Sequence, residues 1–274
     1  MKLLTTLCLV LAVISGSQTM ASADQLMVED HRDEMMVSIE LDDIMLISRY
    51  YPAHATGPGP AVLLLHGWGW PDVDPAKYMQ LAAKEFQRQG YTVLLPTMRG
   101  WPPTGSNDDC AGRQVDDALQ ALAWLAQQPE VDESRLYLSG YSQGGQIALL
   151  AAARNAPVRA TAAFAPVVDP GSWGKETNIE GIREYVMEEC GGPEGWLQRS
   201  VHSYDAIPSP FLLVHGDEDL RVPTRQSIEL YNRHKGNNAA AKIVLVSGST
   251  HDMDEVLQPE LAIKYFQHIE SAAD

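Results

Sequence analysis

One serine in the sequence is placed as a nucleophile would be. Ser142 lies in the segment GYSQGG, where glycines on both sides leave little side-chain bulk around its hydroxyl. The apolar run that begins at Leu136 stops at this serine, and a second apolar run starts at Ile147. A tight turn between a strand and a helix needs such glycines, because neighbouring Cβ atoms would collide there. The pattern G-x-S-x-G therefore predicts a turn that presents Ser142, although the pattern by itself also fits an ordinary turn.

A base and an acid for this serine follow later in the chain. A serine hydroxyl becomes nucleophilic when a base takes its proton and a third group orients that base. His251, in the segment STHDM, is the candidate base. The segment HGDEDLRVP carries three candidate acids, which are Asp217, Glu218 and Asp219. When each residue sits on a loop after a strand, the expected chain order is serine, acid, histidine. The sequence has that order and predicts a Ser-His-carboxylate site.

The elements that must position these residues alternate between strands and helices. Residues 61–65 form a continuous apolar run, which is typical of a strand buried on both faces of a parallel sheet. A hairpin is predicted before it, over 37–51. The alternation predicts an α/β fold with a mostly parallel central sheet and helices on both faces. The later predicted strands are 91–95, 135–139, 160–164, 211–214 and 243–246, and the predicted helices are 75–89, 113–127, 143–155, 224–235 and 257–270.

The stretch 169–210 interrupts this alternation. It lies between two predicted strands and is longer than ordinary loops. We interpret it as a small cap at the carboxyl ends of the strands, where ligands bind in open α/β sheets, with one amphipathic helix over 179–189. Tryptophans in the cap and in strand-end loops form either the cap's own core or the walls of a substrate pocket. The predicted substrate-binding residues are Trp70, Trp101, Trp173 and Trp196.

The N-terminus has the pattern of a secretory signal peptide. A lysine at position 2 precedes an apolar stretch over 3–14, and a small-x-small cleavage motif ends at Ala23. The apolar stretch is too short to span a membrane. We therefore expect residues 1–23 to be removed and the remaining domain, 24–274, to be secreted or periplasmic.

Charge and cysteine content limit the partners and cofactors. The sequence has 36 acidic and 20 basic residues, and this excess of acid argues against nucleic acid or an anionic membrane as partner. No Cys/His cluster has metal-ligand spacing, so neither a metal nor a cofactor is expected. Export allows the two cysteines after the signal peptide, Cys110 and Cys190, to form a disulfide. We predict that this bridge ties the cap to the loop after strand 91–95. The oligomeric state is not predicted.

From about residue 37 to its end, the chain resembles the α/β-hydrolase superfamily. Four separately placed segments carry the likeness, which are HGWGW at 66–70, GYSQGG at 140–145, HGDEDLRVP at 215–223 and STHDM at 249–253. The chain looks most like dienelactone-hydrolase-like and prolyl-oligopeptidase-like catalytic domains, and SQGG also resembles acyl-protein thioesterases. Dienelactone hydrolases proper have a cysteine where Ser142 stands, so their lactone substrate is not carried over. Prolyl oligopeptidases have a large propeller, for which this chain has no room.

This resemblance implies an α/β-hydrolase fold and roles for individual residues. The family pattern H-G-x-x-D-x-x-V-P places the acid on Asp219, with Asp217 as the fallback. The backbone N–H groups of Trp68 and Gln143 are the expected donors of the oxyanion hole. Two further histidines, each followed by glycine at a strand end, are interpreted as packing and loop hydrogen-bonding residues: His66 and His215.

The expected function is that of an exported serine hydrolase that cleaves carboxylic esters of modest size through an acyl-enzyme. Its expected partner is a small-molecule ester. Three alternatives stay open: a prolyl-oligopeptidase-like peptidase, an acyltransferase or thioesterase on the same fold, and a non-catalytic binding protein. The complete set of Ser142, Asp219 and His251 argues against the last alternative, because a degenerate copy would be expected to have lost a member.

Overall fold

An eight-stranded sheet forms the centre of the described chain, which comprises residues 34–54, 56–69, 72–177, 179–252 and 257–272 of a computed structural model. The strands are β1 (Met35–Glu40), β2 (Met45–Tyr51), β3 (Gly59–Leu65), β4 (Thr92–Pro96), β5 (Val131–Tyr141), β6 (Ala160–Phe164), β7 (Phe211–Gly216) and β8 (Lys242–Val246). Their order is β1-β2-β4-β3-β5-β6-β7-β8. Only the β1–β2 and β2–β4 pairs are antiparallel, and the other pairs are parallel. The prediction of a mostly parallel sheet is confirmed. The predicted signal peptide and Trp70 lie outside the described residues.

Helices cover both faces of this sheet, as predicted. The described helices are α1 (Gln80–Arg88), α2 (Arg113–Ala126), α3 (Gln143–Ala153), α4 (Pro170–Glu176), α5 (Glu180–Glu188), α6 (Gly192–Arg199), α7 (Arg225–His234) and α8 (Leu257–Ser271). Side chains alternate along β3, so that Leu63 and Leu65 pack in one core cluster with α2, α3 and α7, and Val62 and Leu64 pack in another with α1 and α8. The predicted helix 75–89 begins as a 3₁₀ helix, Pro75–Met79, and continues as α1.

In its described residues the cap contains three α-helices and a short 3₁₀ helix, Val201–Ser203, rather than the single helix predicted. The predicted helix is α5, and α4 and α6 flank it. Asp169 caps α4 by accepting a hydrogen bond from Ser172 N at 3.1 Å, and Pro170 follows at the first helical position. Gly191, with a φ of 72°, separates α5 from α6, and Gly192, the first residue of α6, has a φ of 63°. The two unpredicted α-helices have only 7 and 8 residues, too few to show a helical apolar period.

A disulfide joins the cap to the main domain. Cys110, in the loop between β4 and α2, is bonded to Cys190, in the loop between α5 and α6, with a Cα–Cα distance of 5.0 Å. Both cysteines are buried in a small core that includes Trp173 and Val186 of the cap. The predicted pairing of these cysteines is therefore confirmed. In the described part of the chain, no helix is long and apolar enough to cross a membrane.

Candidate active site

Ser142 lies in a sharp turn between β5 and α3. Its φ and ψ are 54° and −117°, values that residues with a side chain rarely adopt. A Cβ on Gly140 would lie 2.2 Å from the carbonyl oxygen of Gly144, and a Cβ on Gly144 would lie 2.2 Å from that of Leu65. The Ser142 N–H donates to Phe164 O at 2.8 Å, which fixes the turn to β6. The glycines of the motif are therefore required by close approach of the backbone to itself.

Ser142, His251 and Asp219 form an unbroken hydrogen-bond chain. Ser142 Oγ donates to His251 Nε2 at 3.0 Å, and His251 Nδ1 donates to Asp219 Oδ2 at 2.7 Å. All three side chains are buried. They lie on loops that follow β5, β8 and β7, whose carboxyl ends meet at one edge of the sheet. In this arrangement an imidazole can take the proton of a serine hydroxyl.

Four donors hold the Asp219 carboxylate. Its Oδ1 accepts from the backbone N–H groups of Arg221 and Val222, both at 2.9 Å. Its Oδ2 accepts from His251 and also from His215 Nε2, at 3.1 Å. Burial acts to raise the pKa of Asp219, but the hydrogen bonds from His215 and His251 outweigh it and hold that pKa well below its usual range. The carboxylate therefore stays ionised beside the imidazole.

His215 contributes to the site through this aspartate. Its Nε2 faces two acceptors, Asp219 Oδ2 and Val222 O, the latter at 3.0 Å, so Nε2 must carry a proton. Its Nδ1 then accepts from the Ser227 hydroxyl at 2.7 Å. The sequence suggested a loop hydrogen-bonding role for His215 but gave no reason to connect it with the acid. In the structure it is a positioning residue for Asp219.

Two other candidate residues maintain loops around the site. Asp217, the fallback acid, is exposed and accepts from Gly248 N at 2.7 Å, while Asp219 makes the contact to the imidazole. His66 is buried, with Nδ1 donating to Gly67 O at 2.7 Å and Nε2 accepting from Met98 N at 2.9 Å. Burial lowers the pKa of His66 to about 4. Both ring nitrogens of His66 are therefore occupied, and the neutral ring fixes the loop that follows β3.

Gln143 and Trp68, the residues expected to supply the oxyanion hole, share one neighbour in the cap. Gln143 is the first residue of α3, so its backbone N–H has no acceptor within the helix. Its side-chain Nε2 donates to Asp108 Oδ1 at 3.0 Å and to Tyr185 Oη at 2.8 Å, and Tyr185 Oη donates to Asp108 Oδ1 at 3.1 Å. Burial raises the pKa of Asp108 to about 6. The Tyr185 ring also lies 5.6 Å from the Trp68 ring, so α5 contacts both residues.

A small cavity of about 50 Å³ lies beside Ser142 and His251. The cap supplies Trp173, Ile182 and Tyr185 to its walls. The other described lining residues are Trp68, Tyr141 and Arg221. The cavity is therefore a mainly aromatic space beneath the cap, at the hydroxyl of the candidate nucleophile.

The tryptophans predicted to bind substrate have different positions. Trp173 lines the small cavity. Trp101 is buried against Trp68, with ring centroids 5.8 Å apart. Trp196 packs inside the cap, where its indole N–H donates to a backbone carbonyl at 3.1 Å. Trp101 and Trp196 thus support other residues instead of lining the cavity, and Trp70 lies outside the described residues. Trp68, expected to contribute only its backbone, places its ring in the wall.

Three residues at the site were not predicted from the sequence: Tyr141, Tyr185 and Arg221. Tyr141 directly precedes the nucleophile, and its hydroxyl donates to His251 O at 2.8 Å. Arg221 lies inside the motif that carries the acid, and its guanidinium pairs with both carboxylate oxygens of Asp252, at 2.9 and 3.2 Å. The positions of Tyr141 and Arg221 inside these motifs could have identified them from the sequence. The role of Tyr185 depends on how the cap packs, for which the sequence has no local signal.

Comparisons with known proteins place this chain among relatives with different activities. It is similar to the uncharacterized peptidase YtmA of Bacillus subtilis (strain 168), with 27% identity over 180 residues that cover 61% of this chain and 67% of the relative. It is also similar to the polyketide transferase grgF of Penicillium sp, with 27% identity over 247 residues that cover 84% of this chain and 82% of the relative. A crystal structure of puromycin hydrolase shares the fold, with a TM-score of 0.75 at 20% identity.

The extent of these matches differs. The superposition on puromycin hydrolase covers 87% of this chain but only 39% of that one. The sequence pattern of the prolyl oligopeptidase family matches residues 86–270. This span contains Ser142, Asp219 and His251 together with the strands and helices that position them. The chain therefore belongs to the prolyl oligopeptidase family, a family of serine hydrolases with the α/β-hydrolase fold.

Proposed function

We propose that the protein cleaves carboxylic esters of modest size by forming an acyl-enzyme on Ser142. The observation that carries the proposal is the hydrogen-bond chain from Asp219 through His251 to Ser142, which ends at a small aromatic cavity. Membership of the prolyl oligopeptidase family supports a serine hydrolase. The choice of esters depends on the shape and charge of the cavity.

Acylation begins with proton transfer. His251 Nε2 takes the proton of Ser142 Oγ as Oγ attacks the carbonyl carbon of the ester, and the ionised Asp219 stabilises the imidazolium that forms. The carbonyl oxygen becomes an oxyanion, for which the backbone N–H groups of Gln143 and Trp68 are the proposed donors, each contributing on the order of 3 kcal/mol. His251 then gives its proton to the alcohol oxygen. The carbon–oxygen bond breaks, the alcohol leaves, and the acyl group remains on Oγ.

Deacylation repeats these steps with water as the nucleophile. His251 Nε2 takes a proton from a water molecule as the water oxygen attacks the acyl carbon. The same two N–H groups receive the second oxyanion. When this intermediate collapses, His251 returns the proton to Ser142 Oγ and the carboxylic acid is released. One ester and one water thus become one acid and one alcohol.

The cavity favours an ester over a peptide. A space of about 50 Å³ lined by Trp173 and Tyr185 suits a small apolar group better than a peptide backbone. The Arg221 guanidinium in its wall is already paired with Asp252, so the pair adds no net charge that would hold the charged end of a peptide. An amide nitrogen is also a poorer leaving group than an alcohol oxygen and depends more on protonation by His251.

Labelling with a fluorophosphonate, followed by kinetics on p-nitrophenyl esters and aminoacyl-anilides, tests this proposal. We expect the wild type to be labelled and Ser142→Ala to be neither labelled nor active. Ser134→Ala, which changes an exposed serine on the same strand, serves as the matched control and should behave as wild type. We expect the best ester to have a higher kcat/KM than any anilide. The opposite order would reject the ester class, and failure to label would reject the nucleophile.

Acyl transfer to an alcohol is a second candidate. It is supported by the similarity to grgF, named as a polyketide transferase, which extends over 84% of this chain and 82% of that relative. A transferase would use the same acyl-enzyme, with an alcohol in place of water in the second half reaction. Adding butanol to an ester hydrolysis assay and measuring the ratio of butyl ester to free acid distinguishes the two. We expect free acid to dominate, and a predominance of butyl ester would favour the transferase.

A further inference from the structure

A second and larger cavity adjoins the one at Ser142. Its volume is about 330 Å³, which lies within the range of small-molecule binding sites. Trp68, Tyr141 and Arg221 line both cavities and are the walls that they share. The smaller cavity alone holds only a small group. A substrate that reaches Ser142 can therefore extend past these three residues into the larger space.

The larger cavity is mainly apolar. Leu64 of β3 and Phe164 of β6 line it from the sheet, and Ala82 and Phe86 line it from α1. These residues belong to or pack against the core cluster on the face of the sheet that α1 and α8 cover. Ala82 is half-buried and contributes only a methyl group. Burial of a hydrocarbon group against these walls is therefore favourable. The small side chain of Ala82 leaves space that a larger side chain would fill.

The charges at this cavity are already matched. Arg221 and Asp252 both line it, and they pair with each other through two hydrogen bonds of 2.9 and 3.2 Å. Both side chains of this pair are partly exposed to solvent, and together they add no net charge to the rim of the cavity. A neutral hydrocarbon therefore fits the apolar walls without needing a charged partner. The cavity thus suits an uncharged apolar group.

The larger cavity also lies beside the groups that are proposed to act on the ester. Gly67, Trp68 and Gly69 line it, and these residues form the loop that carries the proposed oxyanion donor. Tyr141, the last residue of β5 and the one before Ser142, is held in the shared wall by its hydrogen bond to His251 O at 2.8 Å. A carbonyl group bound at Ser142 would therefore have one of its substituents directed along this shared wall.

We infer that the larger cavity binds the extended apolar chain of the ester, while the smaller cavity holds the compact part. This inference deepens the proposed function and rests on it. The chain belongs either to the acyl part or to the alcohol part, which have the same chemistry. The predicted substrate class is an ester with one short side and one extended hydrocarbon or aryl side.

Two ester series distinguish the two sources of the chain. One series lengthens the acyl group of p-nitrophenyl esters from acetate to octanoate, and the other lengthens the alcohol of acetate esters from methyl to octyl. We expect kcat/KM to rise about four-fold per methylene along one series until the cavity is filled. The series that rises identifies the part that occupies the cavity. A flat or falling profile along both series would overturn the inference.

Filling the cavity provides a matched pair of variants. Ala82→Trp should abolish the dependence on chain length, so that the ratio of kcat/KM between octyl-length and shortest substrates falls at least ten-fold. Leu81→Trp, at the neighbouring position of α1 where the side chain is 65% exposed, should keep the wild-type ratio. Ala82→Leu places a smaller side chain in the cavity and should give an intermediate ratio. This variant provides the test if Ala82→Trp does not fold. Equal ratios in the Ala82 variants and in Leu81→Trp would contradict the inference.

A binding measurement separates this inference from the proposed function. Titration of Ser142→Ala with 1-octanol, followed by calorimetry, requires no catalysis. We expect binding that is lost when Ala82→Trp is added and retained when Leu81→Trp is added. If no ester is hydrolysed but this pattern holds, the proposed function fails and the apolar site stands. If esters are hydrolysed but octanol binds equally to both double variants, the site fails and the proposed function stands.

Discussion

Asp217 and Asp219 are two positions apart, but Asp217 is exposed and Asp219 is buried. Substitutions at these two positions therefore form a matched pair. Asp219→Asn should lower kcat by about 10⁴, because an amide beside His251 Nδ1 stabilises the wrong tautomer of the imidazole. Asp217→Asn changes an exposed side chain that bonds to a turn, so its effect should stay within about 0.5 kcal/mol, or roughly two-fold. Ester kinetics and circular dichroism on both variants measure this. A large loss of kcat in Asp217→Asn together with a small loss in Asp219→Asn would contradict the assignment of Asp219 as the acid.

His66 should make the stability of the protein depend on pH. Its pKa is lowered to about 4 in the folded protein by burial, whereas an unfolded chain has a histidine pKa near 6.5. The unfolded state therefore binds more protons between these values, and the free energy of unfolding falls as the pH decreases through this window. At pH 5 the loss from this residue is about 2 kcal/mol relative to pH 7. Urea unfolding at pH 7 and at pH 5 measures this change in the free energy of unfolding.

The control for this prediction is a residue that cannot titrate. His66→Gln keeps a donor and an acceptor for the partners of the ring, Gly67 O and Met98 N, but stays neutral at both pH values. Its own stability will differ from that of the wild type, so the comparison concerns only the change between pH 7 and pH 5. We expect that change to be smaller by about 2 kcal/mol in the variant. An equal change in both proteins would show that His66 is not its source.

Among single residues, those in local motifs could be predicted and those that act through distant contacts could not. Ser142 and His251 stand in segments whose glycines and strand-end positions are visible in the sequence. Asp108 stands in no such segment, because its partners Gln143 and Tyr185 lie 35 and 77 residues away. Trp196 was predicted to bind substrate because of its position in the cap, but it is half-buried and packs against the cap's own small core.

At the level of secondary structure elements, the same limit applies to the cap. The central strands of the sheet were predicted because they are runs of buried apolar residues, as β3 and β4 show. Helix α5 has an amphipathic pattern and was predicted, whereas α4 and α6 are too short for one. Which face of α5 meets the nucleophile depends on packing against α4 and α6 and on the disulfide. No periodicity in the sequence contains that information.

Helix α5 should support catalysis through the hydroxyl of Tyr185. Tyr185→Phe removes the hydrogen bonds to Gln143 and Asp108 but keeps the ring against Trp68 and Trp173. A hydrogen bond to a charged group is worth roughly 1.5 kcal/mol or more, so we expect kcat to fall about ten-fold as Gln143 loses its support. KM should change less, because the cavity wall remains. Steady-state kinetics on the best ester measure both constants.

Tyr204→Phe is the matched control for this variant. It removes another tyrosine hydroxyl in the segment after the cap helices, where it accepts a hydrogen bond from Arg154 at 3.1 Å, away from the lining of both cavities. We expect its kcat to equal that of the wild type. A similar loss in both variants would mean that the effect reflects general loosening of the protein. An unchanged kcat in Tyr185→Phe would mean that α5 does not support Gln143.

At the scale of the whole molecule, the disulfide connects the cap to the question of where the protein works. Disulfides persist mainly in oxidising compartments. The Cys110–Cys190 bond is one that such a compartment allows, and export itself stays a prediction from the pattern of residues 1–23. The excess of acidic residues suits a soluble protein that remains dispersed. N-terminal sequencing of the protein from its native host tests the prediction of export, and we expect a start at Asp24.

The same disulfide should determine both stability and activity. It closes a loop with a sequence separation of 80 residues, for which the chain-entropy model gives about 4.5 kcal/mol of stabilisation. Cys110→Ser combined with Cys190→Ser should therefore unfold at lower urea, with a free energy of unfolding reduced by up to this amount. The kcat/KM on esters should fall as well, because the freed cap carries Trp173 and Tyr185 of the cavity wall.

Wild type treated with dithiothreitol should reproduce both effects, whereas the double variant should not respond to it. Two titratable thiols in the denatured, unreduced wild type would refute the bridge, and unchanged kinetics in the double variant would show that noncovalent packing alone holds the cap over Ser142.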